Sequence, residues 1–320
     1  MSGADGAGAH VVVSPHPDDA VWSLGGRLAR WVARGVPVTV VTVFDGPAIA
    51  GARGDGVPAG DVRAGGARAD GARAAAPATD GARPARDAAD AKTPGATHDR
   101  DAWRSIARPA LRRREDRAAL TLLGAAHVSL GFTDAALRTS GDRYRYSSAL
   151  RVRGPRHADD APLADELGAA LRSCCPPGTR VHGPLAAGRH VDHVLVREAV
   201  ERLGRPDTAW YEDFPYPLRH RDHEGMAAGF TPLTSAEIDT WLAGAAVYAS
   251  QAQALFDGTD RLRETLLARV RAHGTAARLP YAERFWLRSA HVATDAGHRP
   301  PGEPPPPPDD RNTPAPLGRP

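Results

Sequence analysis

At 320 residues, 42% of them apolar, the chain is long enough to bury the core of one large α/β domain or two small ones. Its formal charge is only +3, and Lys92 is the sole lysine among 41 basic residues. That balance argues against a dedicated phosphate-binding face, so no nucleic-acid partner is expected.

Met1 to His10 has neither the charged start nor the apolar core of a signal peptide. No later run approaches the roughly 20 apolar residues that span a bilayer, so a cytoplasmic protein without a membrane span is expected. Val11-Val12-Val13 then reads as a buried strand that stops at Ser14-Pro15-His16-Pro17-Asp18-Asp19-Ala20. In open α/β sheets, active sites gather at such strand C-termini. Pro15 and Pro17 hold the residues before them extended, so the turn carrying His16 is stiff and a helix cannot begin before Asp18. His16 and Asp19 supply an imidazole nitrogen and a carboxylate oxygen, a common ligand pair for zinc. Asp18, between them, is placed to take a proton from water beside such a cation. The same acids are also ordinary helix caps, which is the competing reading. Val21 to Ala33 carries Val21, Leu24, Leu28, Trp31 and Val32 on or near one helical face. Gly25-Gly26 lacks the wider G-x-G-x-x-G pattern and reads as an allowance for close helix-to-sheet packing. Gly35 ends the helix, and Val36 to Phe44 is β-branched and apolar, as in a central parallel strand, completing a βαβ unit.

From Gly46 to about Arg100 the chain is Gly, Ala, Arg, Asp and Pro without apolar periodicity, the composition of a disordered insertion. Gly-Ala-Arg recurs at Gly51, Gly66, Gly71 and Gly81, but alternating Asp and few aromatics favour a spacer over an RNA-binding tract. Trp103 to Leu123 suits a long helix that Pro109 bends or restarts, with Arg112 and Glu115 three apart and able to pair on its surface. His127 to Leu130 is a short strand, and Asp134 follows its C-terminal end at the rim of the expected site. Gly141 to Asp160 is polar, with Tyr144 and Tyr146, and reads as an excursion or lid. Pro162 to Cys174 is helical by pattern. The only cysteines, Cys174 and Cys175, are adjacent, too few and too close for a disulfide framework; a reduced pair at the helix end is expected. Arg180 to Gly183 is a short strand in which His182 is either a fourth ligand or a packed core histidine. His190-Val191-Asp192-His193 then opens a helix whose apolar face is Val194, Leu195, Ala199, Val200 and Leu203. Two distant clusters, each with histidine at an element's edge, make a three-ligand catalytic metal site the economical reading.

Ser14 to Ala20, Ser23-Leu24-Gly25-Gly26 and His190-x-Asp-His193 resemble the two signature motifs of the PIG-L (LmbE-like) deacetylase family. The resemblance implies a zinc-dependent hydrolase that removes acetyl from the amine of an N-acetylglucosamine unit, with another divalent ion such as Fe2+ as the alternative metal. It implies His16, Asp19 and His193 as ligands, Asp18 as general base, and His190 as support for the oxyanion or the departing amine. Arg112-x-x-Glu115 is similar to the family helix whose arginine contacts sugar hydroxyls. Three positions depart from the pattern: Ala20 stands where most members have Glu, Val191 where Pro is usual, and Gly188-Arg189 where some relatives carry an aromatic residue.

Ala209 to Tyr211 is a further strand, and Glu212-Asp213-Phe214-Pro215-Tyr216 after it is similar to a stretch in one branch of that family. Asp213 and Tyr216 offer a sugar pocket a carboxylate for hydroxyls and a ring face, unless they simply close a tight turn. Ser235 to Ala246 and Thr259 to Ala272 look helical, and the aromatics of Tyr248 to Phe256 and Tyr281 to Trp286 close the core or border the pocket. From Arg299 the tail, with Pro304 to Pro308, is Pro-rich, extended and disordered. The expectation is therefore one Rossmann-like three-layer α/β/α domain with a mostly parallel sheet, formed by residues 1–45 and 101–298. It would act on a small amino-sugar substrate, with a larger amino-sugar conjugate or a non-catalytic sugar-binding role as alternatives.

Overall fold

The computed structural model of the chain describes residues 8–47 and 102–289. The central strands of its main sheet are apolar and buried on both sides, and helices cover both faces. In chain order the elements are β1 (His10–Ser14), α1 (Asp19–Ala33), β2 (Val38–Thr42), α2 (Pro109–Leu123) and β3 (Ala126–Ser129). A small hairpin of β4 (Thr139–Ser140) and β5 (Arg143–Tyr144) precedes α3 (Leu163–Cys174), β6 (Arg180–Pro184), α4 (Val191–Glu201) and β7 (Ala209–Tyr211). The chain continues through β8 (Met226–Pro232), α5 (Ser235–Ala246), α6 (Ala249–Phe256), α7 (Thr259–Ala277) and β9 (Ala282–Arg288).

The main sheet has seven strands in the order β3-β2-β1-β6-β7-β9-β8. β1, β2, β3, β6 and β7 are parallel, and β9 pairs antiparallel with both β7 and β8. Alternation along β1 divides the core: Val12 joins α1, α2, α5, α6 and α7 on one face, while Val11 and Val13 join α3 and α4 on the other. The expected three-layer fold is what forms. Because β2 and β3 lie to one side of β1 and β6 and β7 to the other, the sheet switches direction between β1 and β6, the place where open α/β sheets put their active sites, at the strand C-termini.

Pro109 restarts a helix rather than bending one, standing at the N-terminus of α2 after a 3-10 turn at Ala102–Ile106. α1 is broken at Leu24, where φ is −143°. Its second half begins afresh with the Glu283 carboxylate accepting from the backbone N–H groups of Gly26 (2.8 Å) and Arg27 (2.9 Å). Gly25 lies against Trp241 of α5, so the close approach that the glycine pair permits is chiefly helix to helix.

Three points go beyond the sequence reading. Gly46 is not the start of an unstructured segment: it pairs with Thr133, and its N–H donates to Phe132 O at 2.9 Å. Residues 48–100 of the insertion, like the 299–320 tail, lie outside the described residues. β8 has no counterpart in the sequence reading, because an edge strand of Ala227, Ala228 and Gly229 carries little apolar alternation. Finally, the segment 141–160 is a largely exposed excursion anchored at three buried residues, Tyr146, Val152 and Asp160, with the Tyr146 hydroxyl donating to Asp160 Oδ2 at 2.6 Å.

Candidate metal centre and active site

The loops after β1 and β6, on either side of the switch point, bring the two histidine segments together. Ser14 Oγ donates to His16 O (2.7 Å) and accepts from Ala20 N–H (3.0 Å), pinning the turn between β1 and α1. His16 N–H donates to Asp19 Oδ2 at 2.8 Å. Asp18 occupies the position before α1 with φ at 100°, and its side chain makes no capping hydrogen bond, which removes the cap reading. A non-glycine residue in that region costs on the order of 1–3 kcal/mol and persists only where its surroundings enforce it.

One ligand atom from each of His16, Asp19 and His193 lies within 4.8 Å of the others, and all three residues are buried. Asp19 Oδ2 is 3.1 Å from His16 Nδ1 and 3.3 Å from His193 Nε2. Each ring is turned by a carboxylate behind it: His16 Nε2 is 3.0 Å from Asp192 Oδ2, and His193 Nδ1 is 2.6 Å from Asp213 Oδ1. With each ring N–H donated to the carboxylate behind it, Nδ1 of His16 and Nε2 of His193 are the nitrogens left to hold a cation, and both face Asp19 Oδ2. The histidines thus present opposite nitrogens to one point. Burial opposes charge on His16, yet Asp134, Asp19 and Asp192 outweigh it and push its pKa up to about 10, the mark of a strongly negative local field. Two nitrogens and one carboxylate oxygen in such a field fit a divalent ion of the zinc or ferrous type and leave positions open for ligands other than protein. His16, His190 and Asp192 form a second, overlapping group of the same kind.

Asp18 stands beside these groups without belonging to the three. Burial pushes its carboxyl up, and Asp19 adds to this; Arg112 at 3.3 Å opposes both, and the result is about 7. A carboxyl poised there suits proton exchange near neutral pH. His190 caps α4, its Nδ1 accepting from Asp192 N–H at 3.3 Å, so its proton is on Nε2. Burial keeps this ring neutral, well below the ordinary histidine value, and it stands edge-on to His16 with ring centres 5.0 Å apart.

The residues expected to meet substrate are placed differently. Arg112 does not pair with Glu115, whose carboxylate goes to Ser250. It is buried and bridges Pro17 O (2.9 Å), Asp18 and Asp134 (3.4 Å). Asp134 also accepts from Ala136 N–H (2.8 Å) and lies 3.7 Å from His16 Nε2. Asp213 is fully buried, and its oxygens serve His193 and the N–H of Ala187, so it faces the histidine rather than a pocket. Tyr216 is half-buried, its ring edge-on to His193 at 5.7 Å and covered by the exposed Arg153. His182 lies away from the centre, buried beside Trp31 with Nε2 2.8 Å from His10 Nδ1, a packed core histidine. Sequence reasoning missed Arg138, which donates to Asp192 Oδ1 at 2.6 Å; nothing local marks that arginine among its many neighbours.

A Rossmann-like sheet with a two-histidine, one-aspartate centre and an acid beside it at the switch point defines a hydrolase of the metal-dependent N-deacetylase class. The chain belongs to the PIG-L family, described as GlcNAc-PI de-N-acetylase, which it matches over residues 11–203, more than half its length. It is 30% identical over 273 residues to a 2'-N-acetylparomamine deacetylase of Streptomyces fradiae, the match covering 81% of this chain and 77% of that protein. Among solved structures, a zinc-inhibited form of teicoplanin deacetylase superposes with TM-score 0.60 at 23% identity, over 88% of this chain and 99% of that one. The A40926 pseudoaglycone deacetylase does so with TM-score 0.56 at 23% identity, over 89% and 99%. N,N'-diacetylchitobiose deacetylase from Pyrococcus horikoshii gives 0.51 at 18% identity, over 91% and 89%. These structural likenesses speak to the fold. Among the described residues no helix is long and apolar enough to cross a membrane.

Proposed function

We propose that the protein hydrolyses the amide of an N-acetylated amino sugar carried in a glycoside or aminocyclitol-type metabolite, releasing acetate and the free amine. The observation that carries this reading is the convergence of His16, Asp19 and His193 within 4.8 Å, with Asp18 alongside but outside the set. His16, Asp19 and His193 would hold zinc, with ferrous iron the alternative, and the bound ion supplies Lewis-acid activation of water and of the amide carbonyl. Asp18 takes the proton from the attacking water and returns it to the nitrogen as the C–N bond breaks. His190, neutral with Nε2–H as its donor, stabilises the negative charge that develops on the carbonyl oxygen. Arg112 orients Asp18 and Asp134. The paromamine-type substrate named for the 30% identical relative favours a pseudo-disaccharide over a lipid-linked sugar. Free Cys174 and Cys175 accord with a cytoplasmic setting.

Asp18→Ala is the deciding variant. It is expected to keep its zinc and lose 100-fold or more of acetate release, on the scale of general-base contributions. Full activity with zinc retained would remove Asp18 from the mechanism. A panel of N-acetylated sugars, pseudo-disaccharides and longer acyl conjugates, read by free-amine formation, separates acetyl removal from cleavage of a larger amide.

A further inference from the structure

Behind the metal centre lies a buried ion chain that the chemistry above does not use. Asp192 has no exposure at all, so its charge must be met by the protein. Its Oδ2 accepts from His16 Nε2–H and from Ala135 N–H (2.9 Å), while Oδ1 accepts from Arg138 at 2.6 Å. Arg138 is in turn held from the far side: its other terminal nitrogen is 2.9 Å from Asp160 Oδ2, and the guanidinium lies between the rings of Phe44 and Tyr146. Asp160, also without exposure, receives Tyr146 Oη–H at 2.6 Å and an ion pair from Arg145.

We propose that Arg138, braced by Asp160, is a positioning residue for the metal centre. Resting on the metal-site reading above, this assigns to Arg138 the task of holding Asp192 Oδ2 against His16 Nε2. A carboxylate fixed there fixes the orientation of the ring, with Nδ1 turned to the centre. A tilted Asp192 would allow the ring to rotate. Arg suits the task because its planar fork spans two carboxylates at once, which an ammonium cannot do.

The test uses the full chain, stripped of metal and titrated with zinc against a chromophoric chelator, with thermal unfolding of the metal-free protein measured in parallel. Arg138→Gln is expected to bind zinc 10- to 100-fold more weakly, the usual cost of losing a group that orients a ligand. Asp160→Asn should weaken binding in the same direction, and the two together by less than the product of the single effects, since both act through Asp192. Arg138→Lys should restore part of the affinity. Leu167→Ala, a cavity in the core against α3, serves as reference: it should unfold earlier yet bind zinc as wild type does. Zinc affinity of Arg138→Gln within twofold of wild type overturns the proposal. If that variant does not fold, Asp160→Asn decides by the same threshold. Wild type failing to bind zinc, or His193→Ala binding it unchanged, is a different result: it overturns the metal reading, and this inference with it.

Discussion

Asp213 shows how much turns on the direction a single side chain faces. Its place after a strand end suits a carboxylate offered to sugar hydroxyls, but with no exposure and a 2.6 Å bond to His193 Nδ1 it faces the histidine proposed as a ligand. The two roles separate experimentally. Asp213→Ala is expected to weaken zinc binding by about 10- to 100-fold and to leave KM unchanged once zinc is saturating. A raised KM with intact zinc affinity would return it to the substrate. Arg112 divides in the same way: because it bridges Asp18 and Asp134, Arg112→Ala should lower kcat by about tenfold or more, beyond any effect on KM. His16, Asp18, Asp19 and His193 were legible because stiff turns and short spacings carry their geometry in a few neighbouring residues. Asp192, Arg138 and Asp160 owe their roles to contacts across tens of residues, and residue type alone does not reveal such pairs.

Helix α1 shows the same limit one level up. Its apolar spacing announces a helix from the motif to Ala33, and that is where it lies; the break at Leu24 and the recruitment of Glu283 as a cap for its second half are not written in the local pattern. The break lets Gly25 meet Trp241, a buried ring whose Nε1–H donates to Val21 O at 2.6 Å. A Cβ on Gly25 would fall 2.1 Å from Trp241 Cδ1. Gly25→Ala is therefore expected to destabilise the fold by about 1–3 kcal/mol, the scale of overpacking, read from urea unfolding. Most other elements were legible for the usual reason, a match between apolar period and strand or helix. β8 escaped because edge strands need not be apolar on both faces, and the anchoring of the 141–160 excursion escaped because it depends on Tyr146 and Asp160 rather than on aliphatic periodicity.

Across the whole molecule, the proposed metal centre would tie the loop after β1 to the start of α4, segments far apart in the chain but adjacent at the switch point. An ion held there only in the folded state adds stability by mass action, so chelation should abolish activity and lower Tm together, with zinc restoring both. A second tie lies further along the sheet. Glu212, after β7, accepts from Trp286 Nε1–H on β9 (3.0 Å), pairs with Arg284, and meets Arg269 (3.3 Å) and His273 (3.5 Å) of α7. Burial would raise its pKa, but the His273 and Arg284 hydrogen bonds, with the charges of Arg269 and Arg284, hold it well below the ordinary glutamate range. The unfolded chain therefore binds this proton more readily than the folded one, and the contribution to stability is complete above the ordinary value and lost as pH falls below it. Glu212→Gln should be less stable than wild type at neutral pH, and the gap should close as unfolding is followed down through about pH 4. A gap that widens in acid would contradict this.

The unfavourable φ of Asp18 has an evolutionary consequence. Replacing alanine by glycine inside a protein ordinarily loosens it, since glycine gives up more freedom on folding. At position 18 the order should invert, with Asp18→Gly melting above Asp18→Ala, because only glycine is at ease in that corner of conformational space. On the proposed role as general base, the aspartate would be kept there for turnover against the conformational cost of that backbone.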